Sequence, residues 1–304
     1  MIENKNYSNF FALSINENDN NNNNTINNIE NNFNIHLQSV KINYFTLFGK
    51  KRRLPLYNYK GPFITISLLL IGTIFYEKNL YSISVIDSEK KNLYNRVMII
   101  SIITLIITLI FYFELLTSIP GYQKGRKISL TEFNELKPAK IINNKVFNLK
   151  YCQTCSIIKE LRTFHCKLCG ICIERRDHHC SFVSNCIGKN NYKLFFYFLI
   201  ISLIHLLPIC FFEGYFFYRI SYLKKLINKE NDIKDFNFIS FFLLGIVILI
   251  LDCIFIFFLI TTIISHIYLI SINKTTNESV RKIDTNEIFN KGCFNNWKEI
   301  FCEN

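Results

Sequence analysis

Residues 151–195 read YCQTCSIIKELRTFHCKLCGICIERRDHHCSFVSNCIGKNNYKLF and contain seven cysteines and three histidines. Most of the cysteines come in CxxC pairs, beginning with Cys152-x2-Cys155, and such pairs present two thiolates to one tetrahedral Zn²⁺. Two zinc ions need eight ligands, whereas this segment offers ten. The two surplus groups fall in the run Asp-His-His-Cys at residues 177–180, where a thiol, a base and a carboxylate come together. That combination is typical of nucleophilic catalysis.

Four long apolar segments indicate that much of the chain lies in a membrane. Half of the 304 residues are hydrophobic, and 30 of them are phenylalanine. The segments cover residues 62–80, 97–117, 194–215 and 238–264, with helix expected to continue to about residue 272. Because backbone groups in lipid must pair within their own segment, we expect four transmembrane helices. The predicted fold is an all-α integral membrane protein with a small cytosolic zinc-binding domain between helices 2 and 3.

The positive charges predict the orientation of these helices. The formal net charge is +12, and Lys and Arg residues cluster beside the apolar segments, as at residues 50–53. Residues 123–193 are much richer in Lys and Arg than residues 77–96 or 219–235. The positive-inside rule therefore places the cysteine-rich domain and both termini in the cytosol. Because the basic residues lie beside membrane spans, we expect a lipid bilayer as the partner and no nucleic acid.

This topology predicts five parts of the chain. They are a cytosolic N-terminal region at 1–61 with an Asn-rich disordered tract, transmembrane helices 1 and 2 at 62–117, a cytosolic segment at 118–193 with the cysteine-rich domain at about 150–195, transmembrane helices 3 and 4 at 194–272, and a cytosolic tail at 273–304. The Asn-rich tract is expected to be disordered because it has too little apolar surface to offset its conformational entropy.

The spacing of the cysteines and histidines, together with the run at residues 177–180, resembles the DHHC family of protein S-acyltransferases, or palmitoyltransferases. The resemblance is close over residues 151–195 and covers the membrane segments in outline. It implies two structural zinc ions with interleaved ligands, although spacing alone does not decide which ligands go together. One ion would be held by Cys152, Cys155, His165 and Cys172, and the other by Cys166, Cys169, His179 and Cys186.

The resemblance also gives roles to the residues outside the zinc sites. Cys180 is implied as the acyl acceptor, His178 as its base and Asp177 as the carboxylate that orients His178. The implied reaction moves a fatty acyl group from acyl-CoA, such as palmitoyl-CoA, to Cys180 and then to a cytosolic cysteine of a membrane-associated protein. The alternative is a non-catalytic membrane adaptor, in which Cys180 and His178 are extra ligands of a structural zinc module. At the family level we expect an endomembrane, Golgi or ER, with the plasma membrane as the other candidate.

Two short motifs after the fourth apolar segment resemble further parts of this family. Thr275-Thr276-x-Glu278 matches its TTxE motif, whose threonines lie against the catalytic carboxylate. Asn296 falls in a C-terminal element and would bond to backbone near the membrane surface, although an ordinary aromatic anchor is the alternative for that element.

Two cationic residues and three departures from the family pattern concern the cysteine-rich domain. Lys159 and Arg162 are expected to hold the phosphates of CoA, with a solvated basic face as the alternative. The family has Pro-Trp where this chain has Ser181-Phe182, and Asp where it has Ile119. It also has Pro at the position after Lys159. None of these changes removes a zinc ligand or a catalytic residue, so we expect altered packing or substrate choice.

One face of the third apolar segment is expected to line the acyl cavity, which the resemblance places among the four helices. Phe195, Phe198, Ser202 and His205 fall at i, i+3, i+7 and i+10, on one side of a helix. Ionisable groups in the membrane are costly and rarely face lipid. We therefore expect His205 to meet Asp252 on the fourth helix and to close the deep end of the cavity, the alternative being a neutral histidine bonded between helices.

Overall fold

The computed structural model describes residues 44–47, 50–53, 59–86, 88–227, 236–283 and 286–302, so the predicted Asn-rich tract lies outside the described residues. In chain order the helices of these ranges are α1 (Lys60–Ile86), α2 (Lys91–Thr117), α3 (Leu130–Leu136), α4 (Tyr192–Ile227), α5 (Phe236–Ser271), α6 (Thr276–Val280), α7 (Asn286–Phe289) and α8 (Cys293–Phe301). The strands pair as antiparallel hairpins: β1–β2 (Tyr44–Leu47, Lys50–Arg53), β3–β4 (Ala139–Ile142, Lys145–Asn148), β5–β6 (Lys150–Cys152, Ile157–Lys159), β7–β8 (Phe164–Cys166, Ile171–Ile173) and β9–β10 (His178–Cys180, Asn185–Ile187).

Among the described residues, four helices are long and apolar enough to span a membrane. The spans cover Lys60–Ser82 of α1, Lys91–Thr117 of α2, Tyr192–Arg219 of α4 and Phe242–Ser271 of α5. The first helix runs past Glu77, where the apolar pattern is interrupted. The Glu77 carboxylate accepts a hydrogen bond from Ser101 of α2. The predicted fold class is confirmed: the chain is a multi-pass membrane protein with the cysteine-rich domain between its second and third membrane helices.

The four long helices pack around a shared apolar core next to the cysteine-rich domain. Leu69 of α1, Leu115 of α2, Phe198 and Leu206 of α4, and Leu259 of α5 are buried together there. Other sides of the same helices expose large apolar side chains, which suit the hydrocarbon of a bilayer. The inner faces therefore form a core and the outer faces meet lipid.

The cysteine-rich domain is built from β-hairpins that are too short to make a core of their own. The four hairpins β3 to β10 have strands of three or four residues. The β3–β4 hairpin closes on Asn143 and Asn144, both with positive φ, as a two-residue hairpin turn requires. Few large apolar side chains are buried here apart from Ile171, Ile173 and Ile187, so we expect bound metal to supply much of the stability of the domain.

Side-chain amides fix the cysteine-rich domain to the end of α2. Asn185 of β10 donates to the backbone oxygens of Leu115 and Ser118 at 3.0 and 2.9 Å. Asn191 donates to the Ser118 hydroxyl at 2.8 Å, and both amide side chains are fully buried. These bonds satisfy carbonyls that the end of a helix leaves without partners. The hairpin β9–β10 is thereby held directly against the membrane helices.

Candidate active site and metal centres

The first metal cluster lies between the hairpins β5–β6 and β7–β8. The cysteine Sγ atoms lie 3.6, 3.3 and 4.0 Å from Nδ1 of His165, for Cys152, Cys155 and Cys172 in that order. A tetrahedral zinc ion with normal bond lengths separates its sulfur and nitrogen ligands by about 3.6 Å. The three cysteines are buried. This cluster therefore has the donor set and the spacing to hold one zinc ion.

The second metal cluster has the same form and lies between β7–β8 and β9–β10. Cys166, Cys169 and Cys186 place their Sγ atoms 3.7, 3.4 and 3.6 Å from Nδ1 of His179. The sulfurs of Cys169 and Cys186 are 3.6 Å apart, close to the ~3.8 Å edge of a zinc–thiolate tetrahedron. Both clusters contain the same residues as the ligand sets that the resemblance implies.

Turn geometry and strand register bring the ligands of each cluster together. In the turns Cys152-x2-Cys155 and Cys166-x2-Cys169 the residue after the second cysteine has positive φ, Ser156 in the first and Gly170 in the second. Its amide donates back to the carbonyl of the first cysteine, which curls the turn around the metal position. The other two ligands of each cluster, a histidine and a cysteine, lie opposite each other across a hairpin. In β9–β10, for example, His179 lies opposite Cys186.

The alternation of β9 separates metal binding from the surplus residues. Successive side chains of a strand point to opposite faces, so His178 and Cys180 share one face and His179 has the other. His179 belongs to the second metal cluster. Cys180 instead packs against the apolar core of the membrane helices. The thiol that the ligand count leaves over is thus directed toward the membrane.

Asp177 and His178 form a bonded pair on the same side as Cys180. The Asp177 carboxylate is fully buried, and its Oδ2 lies 2.7 Å from Nδ1 of His178. Its other oxygen accepts a 2.8 Å hydrogen bond from the backbone amide of Thr276. The two bonds fix the carboxylate from both sides, so the carboxylate in turn fixes the orientation of the imidazole.

Electrostatic interactions among these three groups outweigh the effect of burial. Burial alone would raise the pKa of the Asp177 carboxyl and of the Cys180 thiol, because it penalises the charged form. The hydrogen bond and charge of His178 nevertheless lower the pKa of both groups. For His178, burial lowers the pKa, but Asp177 and Cys180 outweigh it and raise the pKa to about 9. The site therefore favours an imidazolium between two anionic neighbours.

The Thr275-Thr276-x-Glu278 motif supports the carboxylate through backbone geometry. Thr275 is the N-cap of α6: its hydroxyl accepts from the amide of Glu278 at 3.2 Å, and the Glu278 carboxylate accepts from the amide of Thr275 at 2.9 Å. This capping box fixes the first turn of α6. The amide of Thr276 is thereby directed at Asp177. The motif thus contacts the site through its backbone.

Comparison with known families agrees with this geometry. Residues 145–283 match the family model described as DHHC palmitoyltransferase, and the match covers both metal clusters, Cys180 and the motif after α5. This chain carries a DHHC palmitoyltransferase domain. The family recognised from the sequence is confirmed over these residues.

Two curated relatives of the DHHC domain come from Arabidopsis thaliana. One, named "Probable protein S-acyltransferase 5", is 34% identical over 169 residues, which is 54% of this chain and 33% of the relative. The other, named "Probable protein S-acyltransferase 6", is 36% identical over 162 residues, which is 53% of this chain and 38% of the relative. The matches therefore span 33% and 38% of the lengths of the two relatives.

Arg162 ties the DHHC domain to the segment after α5. Its guanidinium, 6% exposed, donates to both oxygens of Glu278 at 2.8 Å and to Asn273 at 2.9 and 3.0 Å. Arg175 donates to the same Asn273 side chain at 2.7 Å. The expected role of Arg162 in holding CoA phosphates therefore does not fit its position, because its donors are engaged inside the protein. Lys159 is half-buried on β6.

Phe182, where the family has Trp, anchors the loop after Cys180 in the membrane helices. Its ring lies 6.3 Å from that of Phe255 and 5.8 Å from that of Phe258, both on α5. Its carbonyl oxygen accepts hydrogen bonds from Tyr112 at 3.0 Å and from Thr65 at 3.3 Å. Three membrane helices therefore hold the DHHC loop through this one residue.

The four residues expected to line the acyl cavity are all buried on α4. Phe195 lies closest to the site, with its ring 5.2 Å from that of His178, and Phe198 packs 5.7 Å from Tyr112 of α2. Ser202 is 2% exposed, and its hydroxyl has no hydrogen-bond partner among the residues that the structure describes. An unpaired hydroxyl in an apolar bundle leaves part of this face polar.

His205 has different neighbours from those expected. Its ring nitrogens lie 3.2 Å from the Thr73 hydroxyl of α1 and 3.0 Å from the Thr104 hydroxyl of α2. The expected contact with Asp252 is wrong: the Asp252 carboxylate lies beside Gly72 of α1. The direction of each side chain around its helix decides its partner.

His266 of α5 is a site residue that sequence reasoning missed. It is buried, its Nδ1 lies 2.8 Å from the Tyr192 hydroxyl, and its ring centroid is 6.2 Å from that of His178. Donor atoms of Asp177, His178 and His266 all lie within 4.8 Å of one another. Because the Asp177 carboxylate already forms hydrogen bonds with His178 and Thr276, we interpret these three residues as a hydrogen-bonded group. A single histidine in a long apolar run gives no local signal of this role.

Proposed function

We propose that this protein is a protein S-palmitoyltransferase, which transfers a long-chain acyl group from acyl-CoA to cysteine thiols of membrane-associated proteins. The observation that supports this most is the position of Cys180. Its thiol lies outside both metal clusters, interacts with the bonded pair Asp177–His178, and packs against the apolar core of the membrane helices. A nucleophile with an oriented base beside an apolar bundle suits chemistry on a lipid thioester.

The first step of the proposed reaction loads the enzyme. In the charged pair that the site favours, His178 already holds the proton of the Cys180 thiol, and the thiolate sulfur attacks the carbonyl carbon of acyl-CoA. The bond from that carbon to the CoA sulfur breaks, and CoA leaves as a thiol after receiving the proton from His178. Asp177 keeps the imidazole oriented and stabilises its charged form, as its 2.7 Å bond allows.

The second step passes the acyl group to a substrate cysteine. The substrate thiol gives its proton to His178 and attacks the acyl-Cys180 carbonyl, and the bond to Cys180 breaks to restore the free thiol. One thioester is broken and one is formed in each step, so the transfer needs no ATP and no redox cofactor. The acceptor cysteines would lie near the membrane surface, where β9 meets the helices.

The acyl chain is proposed to lie among the four membrane helices. Cys180 packs against the cluster that contains Phe195 and Phe198, which connects the thiol to the interior of the bundle. Each methylene removed from water contributes roughly 0.8 kcal/mol, so the bundle would select long chains by burial alone. His205 marks the deep end of this face in the proposal.

The two zinc ions are proposed to have a structural role. Each cluster supplies four protein ligands, so a bound ion would have closed coordination and no position for water. When bound, the ions crosslink the hairpins and hold β9 in place. Lys159 remains the proposed contact for a CoA phosphate. We also propose that the domain and both termini face the cytosol, in keeping with the distribution of Lys and Arg.

Autoacylation of the purified full-length protein tests this function. We expect a palmitoyl-CoA analogue with an alkyne tag to label the protein through a hydroxylamine-sensitive bond, and Cys180→Ser to abolish the label with zinc content unchanged. Cys293→Ser, which replaces an exposed cysteine of α8, is the matched control and should keep the label. Loss of zinc in Cys180→Ser, or no label on the wild type, would favour the adaptor.

A further inference from the structure

Two neighbouring cavities lie along the seam between the start of α4 and α8. The first has a volume of about 260 Å³ and is lined by Arg175, Lys189, Asn190, Tyr192, Lys193 and Ile300. The second, of about 380 Å³, is lined mainly by the rings of Phe196, Tyr197, Phe294, Trp297 and Phe301. The two are adjacent, because the consecutive residues Ile300 and Phe301 of α8 line one cavity each, and Lys193 and Phe196 of α4 are three residues apart. Lys193 also bridges them, donating to the carbonyl of Phe301 at 2.6 Å.

The first cavity is strongly basic. Three cationic side chains line it, Arg175, Lys189 and Lys193. Nearby carboxylates compensate only part of this charge. Glu174 lies 3.5 Å from Lys189. Glu299 lies 3.4 Å from Arg175, but it also pairs with Lys291 at 3.1 Å. The cavity therefore offers a net positive charge to a ligand.

Arg175 is more enclosed than Lys189, whose side chain is 49% exposed. The side chain of Arg175 is 17% exposed. Burial, together with the charge of Arg162, lowers the pKa of Arg175 to about 10 although Glu299 acts in the opposite direction. A buried cation with incomplete compensation is stabilised by an anion that reaches it.

The order of the two cavities along α4 matches the depth profile of a lipid. Tyr192 and Lys193 are the first residues of the apolar span, so the basic cavity lies at the membrane surface on the side of the cysteine-rich domain. Phe196 and Tyr197 lie one turn deeper, about 6 Å along the axis. Charge is thus found at headgroup depth, and an aromatic groove follows at the depth of the first acyl carbons.

The groove is open to the bilayer. Phe294 is 81% exposed and Tyr197 is 40% exposed, while the opposite wall is fixed by the stacked rings of Trp297 and Phe301, whose centroids are 5.4 Å apart. Aromatic rings form most of the lining of the groove, and Lys298 and Cys302 complete it. A lining of mainly aromatic rings suits the acyl chains of a lipid, since a lysine at its edge can keep its charged end in water.

We propose that this seam binds one phospholipid with an anionic headgroup, from the leaflet next to the cysteine-rich domain. Its headgroup would be held by Lys189, Lys193 and Arg175, and its acyl chains would lie against the aromatic groove. The proposal depends on the membrane placement but not on the transfer reaction. Because Arg175 bonds Asn273, which also bonds Arg162, a lipid here would stabilise the contact between the domain and the segment after α5.

Native mass spectrometry on the full chain tests this site, with lipids added back after delipidation. The protein should carry Cys180→Ser in every arm, so that the result is independent of acyl transfer. We expect one phosphatidylinositol adduct that survives when phosphatidylcholine is lost. Lys189→Gln should weaken its binding about five-fold, as expected for one charge at a membrane surface, and Lys189→Gln with Lys193→Gln should weaken it further. Lys127→Gln, an exposed lysine outside the seam, should change nothing.

A second variant distinguishes a lipid from a soluble anion. Cys302 is exposed and lines the groove, so Cys302→Trp fills the groove without changing the charge. We expect it to weaken the phosphatidylinositol adduct as well. Equal binding of phosphatidylcholine, no effect of the lysine variants, or a Cys302→Trp protein that binds normally would overturn the proposal. Displacement of the lipid by inorganic phosphate or free CoA would also overturn it, in favour of a soluble anion.

Discussion

The buried ion pair between Arg162 and Glu278 should control both the stability of the domain and the orientation of the Asp177 carboxylate. Glu278→Ala leaves the Arg162 guanidinium buried without its carboxylate, since the two side chains are 6% and 1% exposed. Breaking one partner of such a pair costs about 3–5 kcal/mol. The same change removes the capping box that directs the amide of Thr276 at Asp177. We therefore expect a loss of stability together with a loss of autoacylation.

The expected size of the effect can be measured by thermal unfolding in detergent. At ~2–4 °C per kcal/mol for a chain of this order of length, Glu278→Ala should lower the Tm by about 10 °C. Glu160→Ala is the matched control, because Glu160 pairs with Lys140 at the surface, where the two side chains are 45% and 35% exposed. A pair of that kind contributes about 0–1 kcal/mol, so this variant should unfold near the wild-type temperature and keep its activity.

A double variant separates the ion pair from other effects of the substitution. Arg162→Met with Glu278→Leu replaces both charges by apolar groups and should recover part of the Tm lost in Glu278→Ala, because no buried charge is left unpaired. Autoacylation should not recover, since the capping box is still absent. If Glu278→Ala and Glu160→Ala have the same Tm and the same activity, the reasoning from this ion pair is refuted.

Three further changes test individual contacts of the site. Gly61→Ala should lower autoacylation about a hundred-fold, because the new Cβ would overlap the Ser181 carbonyl oxygen and displace the loop of Cys180. The control Gly214→Ala has space for its Cβ and should be active. His266→Phe should lower autoacylation about ten-fold, the equivalent of about 1.4 kcal/mol, with zinc content unchanged. Normal activity of this variant would contradict a role of His266 in the site. His205→Ala should shift the preference toward longer acyl-CoA chains in competition assays, and an unchanged chain-length profile would contradict its place at the deep end.

The metal clusters show what local sequence pattern can predict. CxxC spacing and the surplus over eight ligands predict two zinc sites and a free thiol. The pairing of ligands came from the resemblance, because spacing alone leaves it open. In the structure the reason is visible in the register: His165 stands opposite Cys172, and His179 stands opposite Cys186.

The contacts that sequence missed are long-range ones. Arg162 and Glu278 are 116 positions apart, and no local pattern shows that this cation is buried and paired. His266 meets the site only because α5 ends beside β9. Position along the membrane helices does not predict the partner of His205, because the direction of its side chain around α4 also matters. Its neighbours are two threonines.

The central claim is that Cys180 carries the acyl group on its way to a substrate, and a pulse–chase experiment tests it most directly. The full-length protein is loaded briefly with labelled palmitoyl-CoA, freed of unreacted donor and mixed with a cysteine peptide anchored in the same membrane, while Cys180 is followed by mass spectrometry of its peptide. We predict that the thioester on Cys180 disappears at the rate at which the acyl peptide appears. A label that lies on another cysteine, or a Cys180 thioester that persists while the peptide is acylated, would contradict the account.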